Sequence, residues 1–250
     1  MDPSSLQATL RAAAAAVRSA LDSFEGSGLS GVRPTQYELD LVADAAACSV
    51  LLEAGLAVFS EETGHQGTGD LLAVIDPVDG STNTDRGIPF SCVSICVLDA
   101  DGPLAGLVTS LTTSVRYEAL RGAGATRDGV AITTSGATEP EGCIIGVNGF
   151  LVERPPWAQT RTMGAAALEM CLVAEGALDG YVQTSGATIH PWDYLAAMLI
   201  VQEAGGTVLE ADGAELILVE ALPRRPVVAS TQALAELLAQ DPAVVAHRLT

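Results

Sequence analysis

The chain has 250 residues and a formal net charge of −19, and all 12 of its basic residues are arginine. So acidic a chain repels nucleic-acid phosphates and offers them no basic stripe, which argues against a nucleic-acid partner. No apolar, uncharged run reaches the roughly 18 residues that a membrane span needs. Hydrophobic residues make up 48% and aromatics 4%, so a sizeable core must be built mostly from Ala, Val, Leu and Ile.

Residues 6–24 are Ala-rich and carry Arg11, Arg18 and Asp22, with no basic start before an apolar block. They read as a helix capped by Ser4 or Ser5 rather than as a signal peptide, and a cytoplasmic protein is expected. A Gly/Ser-rich loop follows over 26–34, then a second helix over 39–54 around Asp40 and Asp44, which Gly55 can end. Residues 56–60 form a strand running into Glu61-Glu62, and 71–75 a strand ending at Asp76, after which a sharp turn is expected. Short strands over 91–98, 104–111, 115–120, 130–134 and 143–147, with hairpin signals at Asp101-Gly102 and Asp128-Gly129, predict an antiparallel sheet. In the second half, helices over 164–176, 192–204 and 231–239 alternate with strands over 180–183, 206–209 and 226–229. The fold class is therefore α/β (α+β), with an N-terminal half over 1–150, a C-terminal half over 151–250 and a site between them. Cys48, Cys92, Cys96, Cys143 and Cys171 form no CxxC pair and sit in apolar runs, which reads as buried free thiols in a reducing compartment.

Three constellations carry chemistry. The first is Asp76-Pro77-Val78-Asp79-Gly80-Ser81-Thr82-Asn83. Two carboxylates so close repel each other and raise each other's pKa unless a cation lies between them. Mg2+ takes oxygen ligands, so Asp76, Asp79 and the intervening Val78 carbonyl suit it. Gly80, Ser81 and Thr82 then open a short helix whose free backbone N–H groups suit a phosphate. The second is Glu61-Glu62: alone it is a solvated strand end, and beside the Asp76 motif Glu61 becomes a candidate metal ligand. The third is His190-Pro191-Trp192-Asp193 at the head of an apolar helix, where Asp193 is either a cap or an acid held inside by a metal.

Ser60-Glu61-Glu62-Thr63, the octapeptide at Asp76, and Trp192-Asp193 with Glu203-Ala204-Gly205-Gly206 resemble the inositol monophosphatase family. The resemblance extends over residues 5–240 and includes Glu38-Leu39-Asp40, Gly122-Ala123-Gly124-Ala125 and Gly164-Ala165-Ala166-Ala167. It implies a layered α-β-α-β-α sandwich, a homodimer, lithium sensitivity, and a phosphatase that uses two or three Mg2+ ions to activate water against a small phosphate monoester. It implies that Glu61, Asp76, Val78, Asp79 and Asp193 hold the metal. Ser81 with Asp40 would orient the nucleophilic water, and Ala165, Ala166 and Gln183 would touch the leaving group. Inositol monophosphate or a related sugar or polyol phosphate is the expected substrate, with histidinol phosphate and 3'-phosphonucleotides as alternatives. A catalytically silent regulatory member is the non-enzymatic alternative. Thr84 stands where the family has an aromatic, Gln183 where inositol-specific members have Glu, and Arg33 is the nearest base to the early loop.

Overall fold

The computed structural model describes residues 1–184 and 186–245. Helix α1 (Pro3–Asp22) starts earlier than the serine pair predicts. Asp2 is its N-cap, accepting from the Ser4 and Ser5 amides at 3.1 Å each, and Pro3 fills the first turn, where its missing N–H is not needed. Helix α2 (Glu38–Glu53) ends as expected at Gly55, whose φ of +84° lets the Leu56 amide turn back to the Leu51 carbonyl at 3.1 Å.

The first sheet contains β1 (Ala57–Ser60), β2 (Gly64–Gln66), β3 (Leu72–Asp79), β4 (Cys92–Asp99), β5 (Gly102–Ser110), β6 (Arg116–Leu120), β7 (Ala125–Arg127) and β8 (Val130–Ala131), in the order β2-β1-β3-β4-β5-β6-β7-β8. It is antiparallel except for the parallel pair β1–β3. The expected turn after Asp76 is instead an irregularity within a continuing strand. Pro77 has no N–H to give, the Val78 amide turns to Asp76 Oδ1 at 2.9 Å, and the register with β4 shifts between Asp76 and Asp79. The turn comes at Gly80, which leads into α3 (Ser81–Asp85).

The second sheet contains β9 (Ile144–Asn148), β10 (Gln159–Arg161), β11 (Gly180–Gln183), β12 (Thr207–Glu210) and β13 (Pro226–Ala229), ordered β10-β9-β11-β13-β12. Helices α4 (Ala166–Ala174) and α5 (Pro191–Glu203) belong to the core between the sheets, which explains why both are apolar all round. At Gly106 in β5 an added Cβ would stand 2.8 Å from the Ala196 carbonyl, so only glycine lets α5 lie this close to the sheet. On the other face of the first sheet, Leu6, Leu10 and Leu51 of α1 and α2 pack on Ile75, Ile95 and Leu107. Helix α6 (Gln232–Gln240) covers the second sheet through Leu234 and Leu238, followed by α7 (Pro242–Val245). The layers run α-β-α-β-α, as expected. All five cysteines are buried and free. Among the described residues no helix is long and apolar enough to cross a membrane.

Candidate active site

Parallel pairing sets Ser60 opposite Ile75, so β1 and β3 deliver Glu61 and Asp76 side by side. Asp193 arrives from the first turn of α5, where its Oδ2 accepts from the His190 amide at 2.7 Å. One carboxylate oxygen from each of Glu61, Asp76 and Asp193 lies within 4.8 Å of the others. Asp193 thus caps its helix and also joins the acid cluster. Its carrier is anchored twice: Ser94 Oγ donates to the Trp192 carbonyl at 2.9 Å, and the Trp192 ring meets Phe59 edge-on at 5.3 Å. Phe59 stacks on His65 at 4.2 Å and Trp192 on His190 at 5.0 Å, a four-ring chain that ties the strand carrying Glu61 to the helix carrying Asp193.

Burial, followed by repulsion from Asp193 and Glu62, pushes the Glu61 carboxyl up to about 8. Burial and then Glu61 hold Asp76 well above the carboxylate range. Asp193 rises to about 7 through burial and then Asp79. Without a cation, the folded protein therefore binds protons that the unfolded chain, with ordinary carboxylates, has released. The linkage sign follows: metal-free stability is greatest below about pH 4 in this term and is lost as pH rises towards about 8. Thermal melts in a chelator should show Tm falling from pH 5 to 8, and saturating Mg2+ should remove most of that fall. A metal-free Tm that rises over this range would contradict the cluster's electrostatics.

Asp79 is buried beside this cluster but points both oxygens at α4, accepting from the Ala166 and Ala167 amides at 3.1 and 2.7 Å. Burial raises it to about 7 despite those bonds. The Val78 carbonyl accepts from Ser81 Oγ at 2.8 Å. Gly80 has φ +91°, and an added Cβ would stand 3.1 Å from the Phe90 carbonyl and 3.2 Å from that of Gly164. Asn83 locks α3 in place, its Nδ2 donating to the Phe90 and Met163 carbonyls at 2.7 and 2.8 Å. Asp40 lies against Ser81: burial lifts its carboxyl to about 6, opposed by the Tyr37 amide and then the Ser81 hydroxyl. Asp40 Oδ1 is buried without a hydrogen-bond partner.

Asp44, one helical turn from Asp40, is also buried. It accepts from Ser60, from Thr63 Oγ1 at 2.9 Å and from Cys48 Sγ at 3.2 Å, fixing the turn after β1. Glu62 faces away from the cluster, pairing with Arg33 and Gln36. Gln183 is fully buried, donating to Tyr181 Oη at 2.9 Å and accepting from Asn148 Nδ2 at 2.8 Å. It does not line the cavity of approximately 220 Å3 beside the acids, whereas Ala165 and Ala166 do. Asn148, Thr162, Glu169, Tyr181 and Ile189 also line it, and nothing in the sequence reading singles them out. A lone carboxylate within the otherwise apolar residues of α4 was the available signal for Glu169.

The sequence profile of the inositol monophosphatase family matches residues 4–243. The chain belongs to the inositol monophosphatase family. It is 34% identical over 198 residues to the fructose-1,6-bisphosphatase/inositol-1-monophosphatase of Archaeoglobus fulgidus, covering 76% of this chain and 75% of that one. It is 33% identical over 173 residues to the Nus factor SuhB of Salmonella typhimurium LT2, covering 62% and 63% respectively. Among solved structures it is similar to the inositol monophosphatase of Anabaena (Nostoc) sp. PCC 7120, with a TM-score of 0.77 and 26% identity over 97% of this chain and all of that one. As a member of the inositol monophosphatase family, the chain is a phosphoric monoester hydrolase that depends on metal. The residues present fit such a metal: three converging carboxylates, each protonated far more readily than an exposed acid, form an all-oxygen set suited to a hard divalent cation.

Proposed function

We propose that the chain hydrolyses a small phosphate monoester with Mg2+ and a directly attacking water. The carrying observation is the convergence of Glu61, Asp76 and Asp193 within 4.8 Å, near the left-handed turn at Gly80 that opens α3. These three acids would hold the metal. Asp79 and the Val78 carbonyl can join them, because their present hydrogen bonds leave lone pairs free. Two or three ions are expected. Bound there, Mg2+ would lower the pKa of water and stabilise the leaving oxygen.

The chain's own residues do the positioning. The first-turn amides of Ser81 and Thr82 have no acceptor within α3 and are available to the phosphate oxygens. The partnerless Oδ1 of Asp40 is a ready acceptor for the attacking water, with Ser81 beside it. No separate side-chain nucleophile is needed.

The leaving group would sit in the cavity beside Asp193. Its wall carries Glu169, Asn148, Thr162 and Tyr181, with no arginine among the described residues. Hydroxyls or an ammonium would be welcomed there and a second phosphate repelled. This supports inositol monophosphate or a related polyol phosphate, then histidinol phosphate, ahead of 3'-phosphonucleotides or the bisphosphate in the name of the Archaeoglobus relative. The name of the Salmonella relative favours a second reading, a regulatory member without catalysis, and the retained acid cluster weighs against it. A phosphate-release screen over small monoesters with and without Mg2+ separates these readings. Mg2+-dependent release is expected, with monoesters ahead of fructose 1,6-bisphosphate in kcat/KM by at least tenfold. No release from any ester would leave the regulatory reading standing.

A further inference from the structure

Two cavities outside the active site meet at Arg18 and Asp22 of α1. One, of approximately 390 Å3, lies between α1 and the β5–β6 hairpin and is lined by Arg11, Arg18, Arg116, Thr109 and Ser114. The other, of approximately 280 Å3, is mostly apolar, with Leu21, Ile88, Pro89 and Leu111 around Ser91.

Three of the chain's 12 arginines gather on the first cavity, although the net charge is −19. Buried Glu118 draws in two of them, accepting from Arg11 Nε at 2.7 Å and Nη2 at 3.0 Å and from Arg116 Nε at 2.7 Å. Arg18 is different: it donates to the Ser110 carbonyl at 2.5 Å and pairs with no carboxylate among the described residues. Glu118, Asp22 at the exposed rim and Asp128, which accepts from the Arg116 amide at 3.0 Å, offset much of this charge, and Arg18 is left as the guanidinium of the cavity outside any ion pair among the described residues.

Each cavity also has an unsatisfied hydroxyl in its wall. Thr109 Oγ1 in the charged cavity and Ser91 Oγ in the apolar one are buried without a hydrogen-bond partner, and Ser91 is fully buried. A buried hydroxyl left unpaired costs about 1–3 kcal/mol, so both mark imperfectly satisfied spots in the cavity walls rather than contacts open to a ligand.

We propose that the two cavities together form a binding site for a small amphiphilic anion. Its anionic head pairs with Arg18, flanked by Arg11 and Arg116, and its apolar or aromatic body lies against Leu21, Ile88 and Leu111. Arg18, which is in no ion pair among the described residues although Asp22 shares its rim, gives the charge-assisted contact, and the adjoining apolar wall adds the hydrophobic one. This site is separate from the acid cluster and does not depend on the substrate reading.

Titration calorimetry with benzenesulfonate, in saturating Mg2+ and inorganic phosphate so that the catalytic site is occupied, tests the proposal. One saturable site per chain is expected. Sulfate, which has only the head, and benzyl alcohol, which has only the body, should each bind at least tenfold more weakly. Arg18→Gln should weaken benzenesulfonate at least tenfold. Ile88→Glu, at a side chain already 47% exposed and therefore tolerant of change, should do the same with the fold intact. Absence of saturable binding, sulfate binding as tightly as benzenesulfonate, or undiminished binding to the folded Ile88→Glu protein would overturn it.

Discussion

Asp76→Asn should lower kcat by about 10²–10³, the scale of losing one preorganised electrostatic contact. Asp76 is the buried member of the acid trio, so its charge acts in the least screened position. The same change should raise stability without metal. Burial and the neighbouring Glu61 make the wild-type carboxylate costly, and the near-isosteric amide removes both the charge and the repulsion. Steady-state kinetics across Mg2+ concentrations, with thermal melts in chelator and in Mg2+, reads both effects. The expected pattern is a higher metal-free Tm, a smaller gain from Mg2+ and a collapsed kcat. Near-native turnover at modest Mg2+ would remove Asp76 from the ligand set.

The second large effect is expected at Ser81 and Asp40, the pair proposed to position the water. Ser81→Ala should lower kcat by about 10² or more, the usual weight of a general-base arrangement. Ser81→Thr should be close to neutral, because it keeps the hydroxyl that donates to the Val78 carbonyl next to Asp40. Asp40→Asn should lower kcat with little change in KM, since Asp40 Oδ1 has no structural bond to lose. Asp44→Asn is the control. It should cost about 1–3 kcal/mol of stability by disturbing the bonds to Ser60, Thr63 and Cys48, and leave turnover per folded molecule unchanged. Rapid-quench capture of a phosphoserine at Ser81, or loss of turnover at Asp44 with Asp40 dispensable, would overturn this division of roles.

The legible parts of the chain were those where local pattern and tertiary structure agree. α1, α2, α5 and the strands flanking Asp101-Gly102 follow their apolar spacing and turn residues closely. The convergence of Glu61 on Asp76 was readable because each follows an apolar run, and parallel pairing of β1 with β3 aligned those runs. The path of β3 through Pro77 was not readable, because local sequence does not say that the Val78 amide will bond its own Asp76 rather than β4. Asp40 and Asp44 could not be separated by helical spacing alone. Both point inward, and only the docking of β1 gives Asp44 to Ser60 and Thr63, and the docking of α3 gives Asp40 to Ser81. The wall of the cavity beside Asp193 escaped notice because Asn148, Thr162 and Tyr181 come from separate segments around the second sheet, brought together by crossings that no short motif records.

The ring chain from His65 through Phe59 and Trp192 to His190 has a consequence for biogenesis. The two halves of the acid trio lie far apart along the chain and meet only when α5 lies down on the completed first sheet. A nascent or half-assembled chain therefore holds Glu61 and Asp76 without Asp193 and cannot capture the cation in its final form. In the proposed ligand set, full coordination requires that α5 has docked, so an ion retained after dilution reports that docking event during refolding.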